Sequence, residues 1–241
     1  MFIPAKFTYL ICTLVLFVPW ALLFVYRKDL RKEMIAMSII IAMMGLFFEQ
    51  FFWTVDWWHP QTITGTRVGI EDFLLGLSNG GITAVLYEEL FKKRLYKYKG
   101  RAHSLSSLLF VGIILAATAY FFYIFHLSSF ISWVLATIIG ITILFILRRD
   151  LIIDALITGV CLTVVAFIGF MILQLFSPNF IQQTWDWQHL SGIRFYGAPL
   201  EDMIFYFLSG ISIFPIYLYW KGEYLRKIPN THKGKLKRIK H

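Results

Sequence analysis

The chain has 241 residues, of which 58% are apolar or aromatic and only 15% are charged. A soluble domain of this length needs far fewer apolar residues, so the composition excludes an ordinary soluble protein and indicates an integral membrane protein. The net charge of +9 does not indicate nucleic acid, because the lysines and arginines cluster in loops and in the C-terminal tail. In membrane proteins such clusters set the orientation.

Seven apolar stretches are long enough to cross a bilayer as helices, which takes about 20 residues each. They cover residues 7–26, 34–53, 70–91, 105–125, 130–147, 151–176 and 200–220. The first stretch has no small-residue cleavage site and is followed by a charged segment, so we predict a retained helix rather than a signal peptide. Cys12 and Cys161 lie inside apolar stretches and are predicted to be free thiols. The sequence therefore predicts an all-α integral membrane protein with seven transmembrane helices.

Basic residues lie almost entirely on one side of this topology. The loops after the first, third and fifth helices and the tail hold 4, 6, 2 and 8 lysines and arginines, or 20 of the 23 in the chain. Cytoplasmic loops of membrane proteins are rich in these residues. We therefore predict that the N-terminus is outside, that the C-terminus is cytoplasmic and that the protein is a multi-pass component of the plasma membrane. We expect the tail after Lys221 to be mobile.

An internal repeat relates the two halves of the chain. The run TVDWWH at 54–59 returns as TWDWQH at 184–189, and the pair Glu71-Asp72 returns 130 residues later as Glu201-Asp202. GTR at 65–67 returns as GIR at 192–194, and RKDL at 27–30 returns as RRDL at 148–151. We predict two parallel three-helix repeats, 1–100 and 128–222, a connector helix in 101–127 and a basic tail in 223–241. Duplicated membrane proteins commonly place their site between the repeats.

Each repeat brings the same types of chemically active residue to the outer side. The candidate catalytic residues are Glu71, Asp72, Glu201 and Asp202. The candidate substrate- or cation-binding residues are Trp57, Trp187, Arg67 and Arg194. The supporting residues are Glu49, Asp56, His59, Asp186, His189 and Pro199. Adjacent helical residues point about 100° apart, so we expect one acid of each pair to face a cavity and the other to cap the helix or bind an arginine.

Each residue type also has a simpler interpretation. Acids favour helix N-termini, tryptophans anchor helices at the membrane interface, and the histidines can orient the acids, with metal ligation as the alternative. The repetition of the whole segment favours chemistry. Carboxyl groups crowded in a half-dry cavity are expected to include one that keeps its proton near neutral pH and acts as a general acid. Tryptophan faces can stabilise a cationic intermediate.

At these residues the sequence resembles the lycopene cyclase domain family of bacteria, archaea and fungi, which carries Pro-x-Glu-Glu/Asp motifs at the head of a helix. PLED at 199–202 matches that motif, and the first copy reads GIED at 69–72, with glycine in place of the proline. The resemblance implies acid-catalysed, non-redox cyclisation of the ψ-ends of lycopene, or a related acyclic carotenoid, to β-rings through a carbocation. It implies an isomerase of the intramolecular lyase type without cofactor or metal, with Glu201 or Glu71 as proton donor and a neighbouring carboxylate as acceptor.

Two other functions stay open. A carotenoid ψ-end hydratase would let water capture the cation. A small-solute transporter of three-plus-one-plus-three topology would need polar residues at the membrane midplane, where this sequence is nearly all apolar. The predicted partners are the lipid bilayer and a hydrophobic isoprenoid or carotenoid substrate, with a second copy of the chain in a homo-oligomer as a further candidate.

Overall fold

Seven long helices dominate the computed structural model, which describes residues 5–97 and 104–227. They are α1 Ala5–Tyr26, α2 Arg31–Phe48, α3 Ile70–Leu90, α4 Ser104–Tyr123, α5 Ser129–Leu147, α6 Ile152–Phe176 and α7 Leu200–Lys221. Each coincides with one of the seven apolar stretches, with ends that differ by a few residues. A π-helical segment, Glu49–Trp53, extends α2, and short helical turns occupy Thr54–Asp56, Arg149–Leu151 and Phe180–Thr184.

The central helices of the bundle are α3 and α7, which contact each other. Helices α1 and α2 pack on α3, helices α5 and α6 pack on α7, and α4 packs mainly on α5. The outer faces of the peripheral helices are apolar and exposed, as at Val25, Ile146 and Leu175. Such faces are expected of helices that contact lipid rather than water.

Five helices among the described residues are long and apolar enough to cross a membrane. They span Lys6–Tyr26, Arg31–Asp56, Ser129–Leu147, Arg149–Phe176 and Leu200–Lys221. Helix α3, which carries four acidic residues, is not among them, and neither is α4, whose apolar part covers Ser107–Tyr123. The seven-span topology and its orientation therefore stay predictions.

Two short antiparallel sheets correct the all-helical expectation. Strand β1, Lys93–Lys97, pairs with β4, Glu223–Lys227, and β2, Arg194–Phe195, pairs with β3, Ala198–Pro199. The prediction that the whole tail after Lys221 is mobile was wrong for residues 223–227, while residues 228–241 lie outside the described part of the chain. Gly222 adopts a left-handed conformation, with φ of 62°, which ends α7 and turns the chain back towards β1.

Two arginines make equivalent contacts in the two halves of the chain. Arg27 donates to the backbone carbonyls of positions 88 and 93, at 3.4 and 3.1 Å. Arg148 donates to the carbonyls of positions 218 and 223, at 3.3 and 3.0 Å. Each guanidinium also forms an ion pair with the aspartate two residues further along the chain. These contacts draw the loops after α1 and α5 to the end of the bundle that holds β1 and β4.

Glycines allow close contact between the most extensively packed helix pairs. A Cβ added at Gly80 of α3 would lie 2.7 Å from the carbonyl oxygen of Met37 in α2. A Cβ added at Gly210 of α7 would lie 2.6 Å from the Cα of Gly159 and 3.0 Å from the carbonyl oxygen of Thr158, both in α6. Backbone atoms cannot move aside as a flexible side chain can, so these positions need glycine.

We expect Gly210→Val to destabilise the bundle, because the new side chain would force α6 and α7 apart. Overpacking of this kind costs about 1–3 kcal/mol. The measurement is the midpoint of thermal denaturation of the purified protein in detergent. Gly112→Val is the matched control, since Gly112 is an exposed position of α4 with nothing within 4 Å of an added Cβ. Equal midpoints for both variants would contradict the close packing of α6 on α7.

Candidate active site

A cavity of about 550 Å³ lies between α1 and α6, with residues of α3 and α7 at its base. Its volume falls in the range of small-molecule sites, about 300–1,000 Å³. Most of its wall is formed by aliphatic and aromatic side chains. Val15 of α1 and Ile168 of α6 line it and are about half exposed. The cavity therefore opens on the side of the bundle where these apolar faces point outward.

Asp202 is the acidic residue that α7 contributes to this cavity. It lies in the first turn of α7, directly after Pro199-Leu200-Glu201, and Pro199 is the residue at which the extended chain turns into the helix. The carboxylate accepts a hydrogen bond from Trp185 Nε1 at 2.7 Å, and Trp57 lies beside it. Asp202 is 7% exposed, so its reactive group is enclosed by aromatic rings rather than by water.

Asp72, the counterpart of Asp202 in the first repeat, has different surroundings. It accepts a hydrogen bond from Tyr9 Oη at 2.5 Å and one from the backbone N–H of Gly69 at 2.7 Å. The second of these bonds caps the N-terminus of α3. Asp72 lines a separate, smaller cavity, while Tyr9 lines the large one. The two aspartates are therefore not equivalent in the fold.

Glu71 and Glu201 line neither of these cavities, because each is bonded to the loop that precedes its own helix. Glu71 Oε1 accepts the backbone N–H of Ile63 at 2.6 Å, and Glu201 Oε1 accepts that of Ser191, also at 2.6 Å. Both glutamates are buried. The bonds hold the two loops against the heads of α3 and α7.

Of the two alternatives for the second acid of each pair, helix capping or an arginine partner, the described residues do not show the arginine partner. Arg67 Nε donates to Thr54 Oγ1 at 2.5 Å. Arg194 donates to Gln182 Oε1 at 2.7 Å, and its guanidinium lies 3.6 Å from the centre of the Trp187 ring. Neither arginine lines a cavity. The acids of each pair instead bond to backbone amides and to ring or hydroxyl donors.

The repeated tryptophans occupy unlike positions. Trp57 is 4% exposed and lines the large cavity. Trp187 lies outside both cavities, where its Nε1 donates to the carbonyl of Gln182 at 3.2 Å. Of the two tryptophans, Trp57 is the one that faces the large cavity.

The aspartates and histidines of the two loops organise the loops themselves. Asp56 accepts the backbone N–H of Ser129 through both oxygens, at 3.1 and 3.0 Å, at the start of α5. Asp186 lies 2.9 Å from Nδ1 of His189. His59 is exposed, and its backbone N–H donates across to the other loop, to Thr184. None of these four predicted residues lines a cavity.

Glu49 has a more central position than its supporting role predicted. It lies in the π-helical segment, is 3% exposed and lines both cavities. Both of its carboxylate oxygens lie 3.0 Å from Trp58 Nε1, which donates to them. Single π-helical turns often occur at functional sites. The carboxyl groups of Glu49 and Asp202 are therefore the two that reach the large cavity.

Aromatic residues that the sequence analysis did not single out complete the wall. Phe205 lies edge-on to Trp53 and Trp57, with ring centres 5.3 and 5.4 Å apart. Trp58 donates to the carboxylate of Glu49, and Trp185 donates to that of Asp202. The two tryptophans pair in an isolated β-bridge between their loops, with ring centres 5.4 Å apart. The tryptophan-rich runs at 54–59 and 184–189 contained this signal. Tyr9 has no such signal, because nothing marks it within the apolar stretch of α1.

A bundle of long apolar helices around a mainly apolar cavity with two enclosed carboxyl groups is typical of a membrane protein. The family model described as lycopene cyclase matches residues 6–91 and 128–220. The chain belongs to the lycopene cyclase family, and this membership supports a role of the carotenoid cyclase type. The intervening residues 92–127 contain β1 and α4. The comparisons found no matching curated protein and no matching solved structure.

Proposed function

We propose that the protein converts a ψ-end of lycopene, or of a related acyclic carotenoid, to a β-ring inside the cavity between α1 and α6. The observation that carries the proposal is Asp202, a carboxyl group enclosed by Trp57 and Trp185 at the wall of an apolar cavity of about 550 Å³. An acid among aromatic rings can protonate an alkene while the rings stabilise the resulting cation.

The reaction needs one proton donor and one proton acceptor. Asp202 donates its proton to the terminal double bond of the polyene, which leaves a tertiary carbocation. An internal double bond attacks this cation and closes a six-membered ring, and a ring carbon then loses a proton to Glu49. One proton is added and one is removed, so the product is an isomer of the substrate. A proton must pass from Glu49 back to Asp202 before the next turnover.

The geometry favours Asp202 over Glu201 or Glu71 as the donor. The family resemblance implied one of the two glutamates, but each has an oxygen bonded to the backbone of its own loop and neither lines a cavity. A donor must come within hydrogen-bond reach of the atom that it protonates. Asp202, which belongs to the same motif, meets this condition.

The aromatic wall accounts for the fate of the cation. Trp53, Trp57 and Phe205 line the same cavity as Asp202 and Glu49. Rings stabilise a desolvated cation by about 2 kcal/mol or more each in favourable geometry. They also exclude the water that would otherwise capture it and yield a hydroxylated product.

The test is expression of the chain in cells that accumulate lycopene, followed by analysis of the carotenoids. We expect products with one or two β-rings, compared with cells that carry the empty vector. Acyclic hydroxylated products would indicate a hydratase that uses the same cation. The absence of both product types, with the protein present in the membrane fraction, would contradict the proposal.

We also propose that all seven helices span the membrane as two related three-helix repeats, with the N-terminus outside. The equivalent contacts of Arg27 and Arg148 support the repeat. These two arginines and Lys93 lie at one end of the bundle, and the Glu-Asp pairs lie at the other. Basic residues collected at one end favour that end as the cytoplasmic one.

Reporter fusions test this orientation. A green fluorescent protein fused after residue 241 is expected to fluoresce, because its chromophore forms in the cytoplasm. Alkaline phosphatase fused after Gly65 is expected to be active, because that loop is predicted to be outside. The reverse pattern would reject the orientation without affecting the assignment of Asp202.

A further inference from the structure

A second cavity, of about 110 Å³, lies between α2 and α5, with α4 and α7 also contributing to its wall. It meets the large cavity at a common wall formed by Glu49, Trp53, Leu75, Asn79, Phe205 and Tyr206. Asp72 lines the small cavity, as its counterpart Asp202 lines the large one. Each cavity therefore has one aspartate of its own and shares Glu49.

The two cavities occupy equivalent places in the repeat. The runs RKDL and RRDL begin at residues 27 and 148, so equivalent positions in this part of the repeat are 121 residues apart. At this offset α1 corresponds to α5, and α2 corresponds to α6. The large cavity is lined by α6 positions 162, 165, 166 and 169, and the small one by α2 positions 41, 44, 45 and 48. Adding 121 to each of the four α2 positions gives the four α6 positions. The small cavity is therefore the counterpart of the large one.

Two aromatic side chains occupy space in the small cavity where the large cavity has small residues. Phe48, which is 1% exposed, lines the small cavity at the position equivalent to Gly169 in the large one. Trp133, which is 6% exposed, lines the small cavity at the position equivalent to Cys12 in the large one. A Cβ added at Gly169 would meet nothing within 4 Å, so the space that Phe48 fills in one repeat is open in the other.

The connector helix forms part of the wall of the small cavity. Val111 and Ile114 of α4 line it, and α4 packs on α5. In the large cavity the corresponding side, between α1 and α6, carries no further helix in the described part of the chain. Helix α4 therefore takes up space beside the small cavity, whereas an elongated substrate can approach the large one along the exposed apolar faces of α1 and α6.

We propose that the chain works with one cavity: the space between α1 and α6 takes the polyene end, and its counterpart, about 110 Å³ in volume and occupied in part by Phe48 and Trp133, is too small to do so. This inference rests on the proposed function. It implies that one end of an acyclic carotenoid is converted in each binding event. Conversion of the other end requires release and rebinding in the opposite direction, so a product with one ring appears before the product with two.

The experiment fills each cavity in turn. Gly169→Phe copies Phe48, the residue at the equivalent position of the first repeat, into the large cavity. Gly45→Leu fills the small cavity, where the nearest atom to an added Cβ is 4.0 Å away. Gly112→Phe, at an exposed position of α4 with open space around it, controls for a glycine-to-phenylalanine change in a membrane helix. Lycopene conversion and quenching of tryptophan fluorescence by lycopene are measured on detergent-purified variants with comparable thermal midpoints.

We expect Gly169→Phe to lower conversion by on the order of 100-fold, as misplacement of a substrate does, and to remove the quenching. Gly45→Leu and Gly112→Phe should retain both. Full activity of Gly169→Phe, or an equal loss in Gly45→Leu, would overturn the single-cavity proposal. A wild-type protein that binds lycopene without converting it would contradict the proposed reaction instead, and the binding pattern of the variants would still decide between one cavity and two.

Discussion

Asp202→Asn is expected to abolish ring formation while leaving the fold intact. Asparagine has the shape of aspartate and can still accept the hydrogen bond from Trp185 Nε1, which is 2.7 Å long in the wild type. It has no acidic proton to give to the polyene. General acid catalysis contributes about 10²–10⁴-fold to a rate, so we expect a loss of that size. The measurement is the rate of β-ring formation from lycopene by purified protein, with equal protein amounts.

Glu201→Gln is the matched control for this prediction. It replaces a carboxyl group with an amide at the adjacent position. The glutamine oxygen can still accept the hydrogen bond from the backbone N–H of Ser191, which is 2.6 Å from Glu201 Oε1 in the wild type. We expect the rate to fall far less than in Asp202→Asn. The opposite ranking, with Asp202→Asn active and Glu201→Gln inactive, would reject Asp202 and restore the glutamate as the donor.

Glu49→Gln is expected to give the second large loss, about 10²-fold in β-ring product. Glutamine can still accept from Trp58 Nε1, but it cannot take the proton that the cyclised cation must lose. The cation then persists until water captures it, so we expect a hydroxylated ring among the remaining products. Product analysis by chromatography and mass spectrometry distinguishes this from an acyclic hydroxylated product.

Glu33→Gln controls for the loss of a buried carboxyl group from the same helix. Glu33 is fully buried near the other end of α2 and lines neither cavity. Its substitution should leave the ratio of cyclic to hydroxylated product unchanged. The same product ratio in wild type and in Glu49→Gln would remove Glu49 from the acceptor role, whatever the overall rate.

The helices were predictable because each is encoded by a local feature, a run of about 20 apolar residues. The residues between the runs also mark the ends, as at Arg27-Lys28-Asp29 before α2. The strands β1 and β4 were not predictable, because their partners lie more than 100 residues apart and pair along charged segments without an apolar alternation. Long-range pairing of this kind leaves no local pattern.

The Glu-Asp pairs show where prediction of the site ended. Helical geometry required the two acids of a pair to point about 100° apart, and the structure has the aspartate at a cavity and the glutamate at a loop in both repeats. The sequence could not tell which acid would be which. That choice depends on how far α3 and α7 are rotated about their own axes, and the neighbouring helices decide it.

The repeat itself predicted two alike sites, and the structure shows how unlike they are. Trp57 and Trp187 occupy matching sequence positions, but one lies in the wall of the large cavity and the other packs against Arg194 on the outside. Phe48 and Gly169 are equivalent positions of the two repeats, and the phenylalanine ring occupies space in the small cavity that is open in the large one. A repeat in sequence conserves the path of the chain but not the volume between its helices.

Composition and local pattern alone were sufficient to indicate a helical membrane protein, the duplicated segments and the acids worth testing, because hydrophobicity and motif spacing are properties of neighbouring residues. Tertiary packing decided which acids reach the large cavity, which aromatic rings surround them and which repeat contains the larger cavity. Those outcomes depend on contacts such as Tyr9 with Asp72 and Trp185 with Asp202. Each joins segments that are adjacent only after the helices have packed.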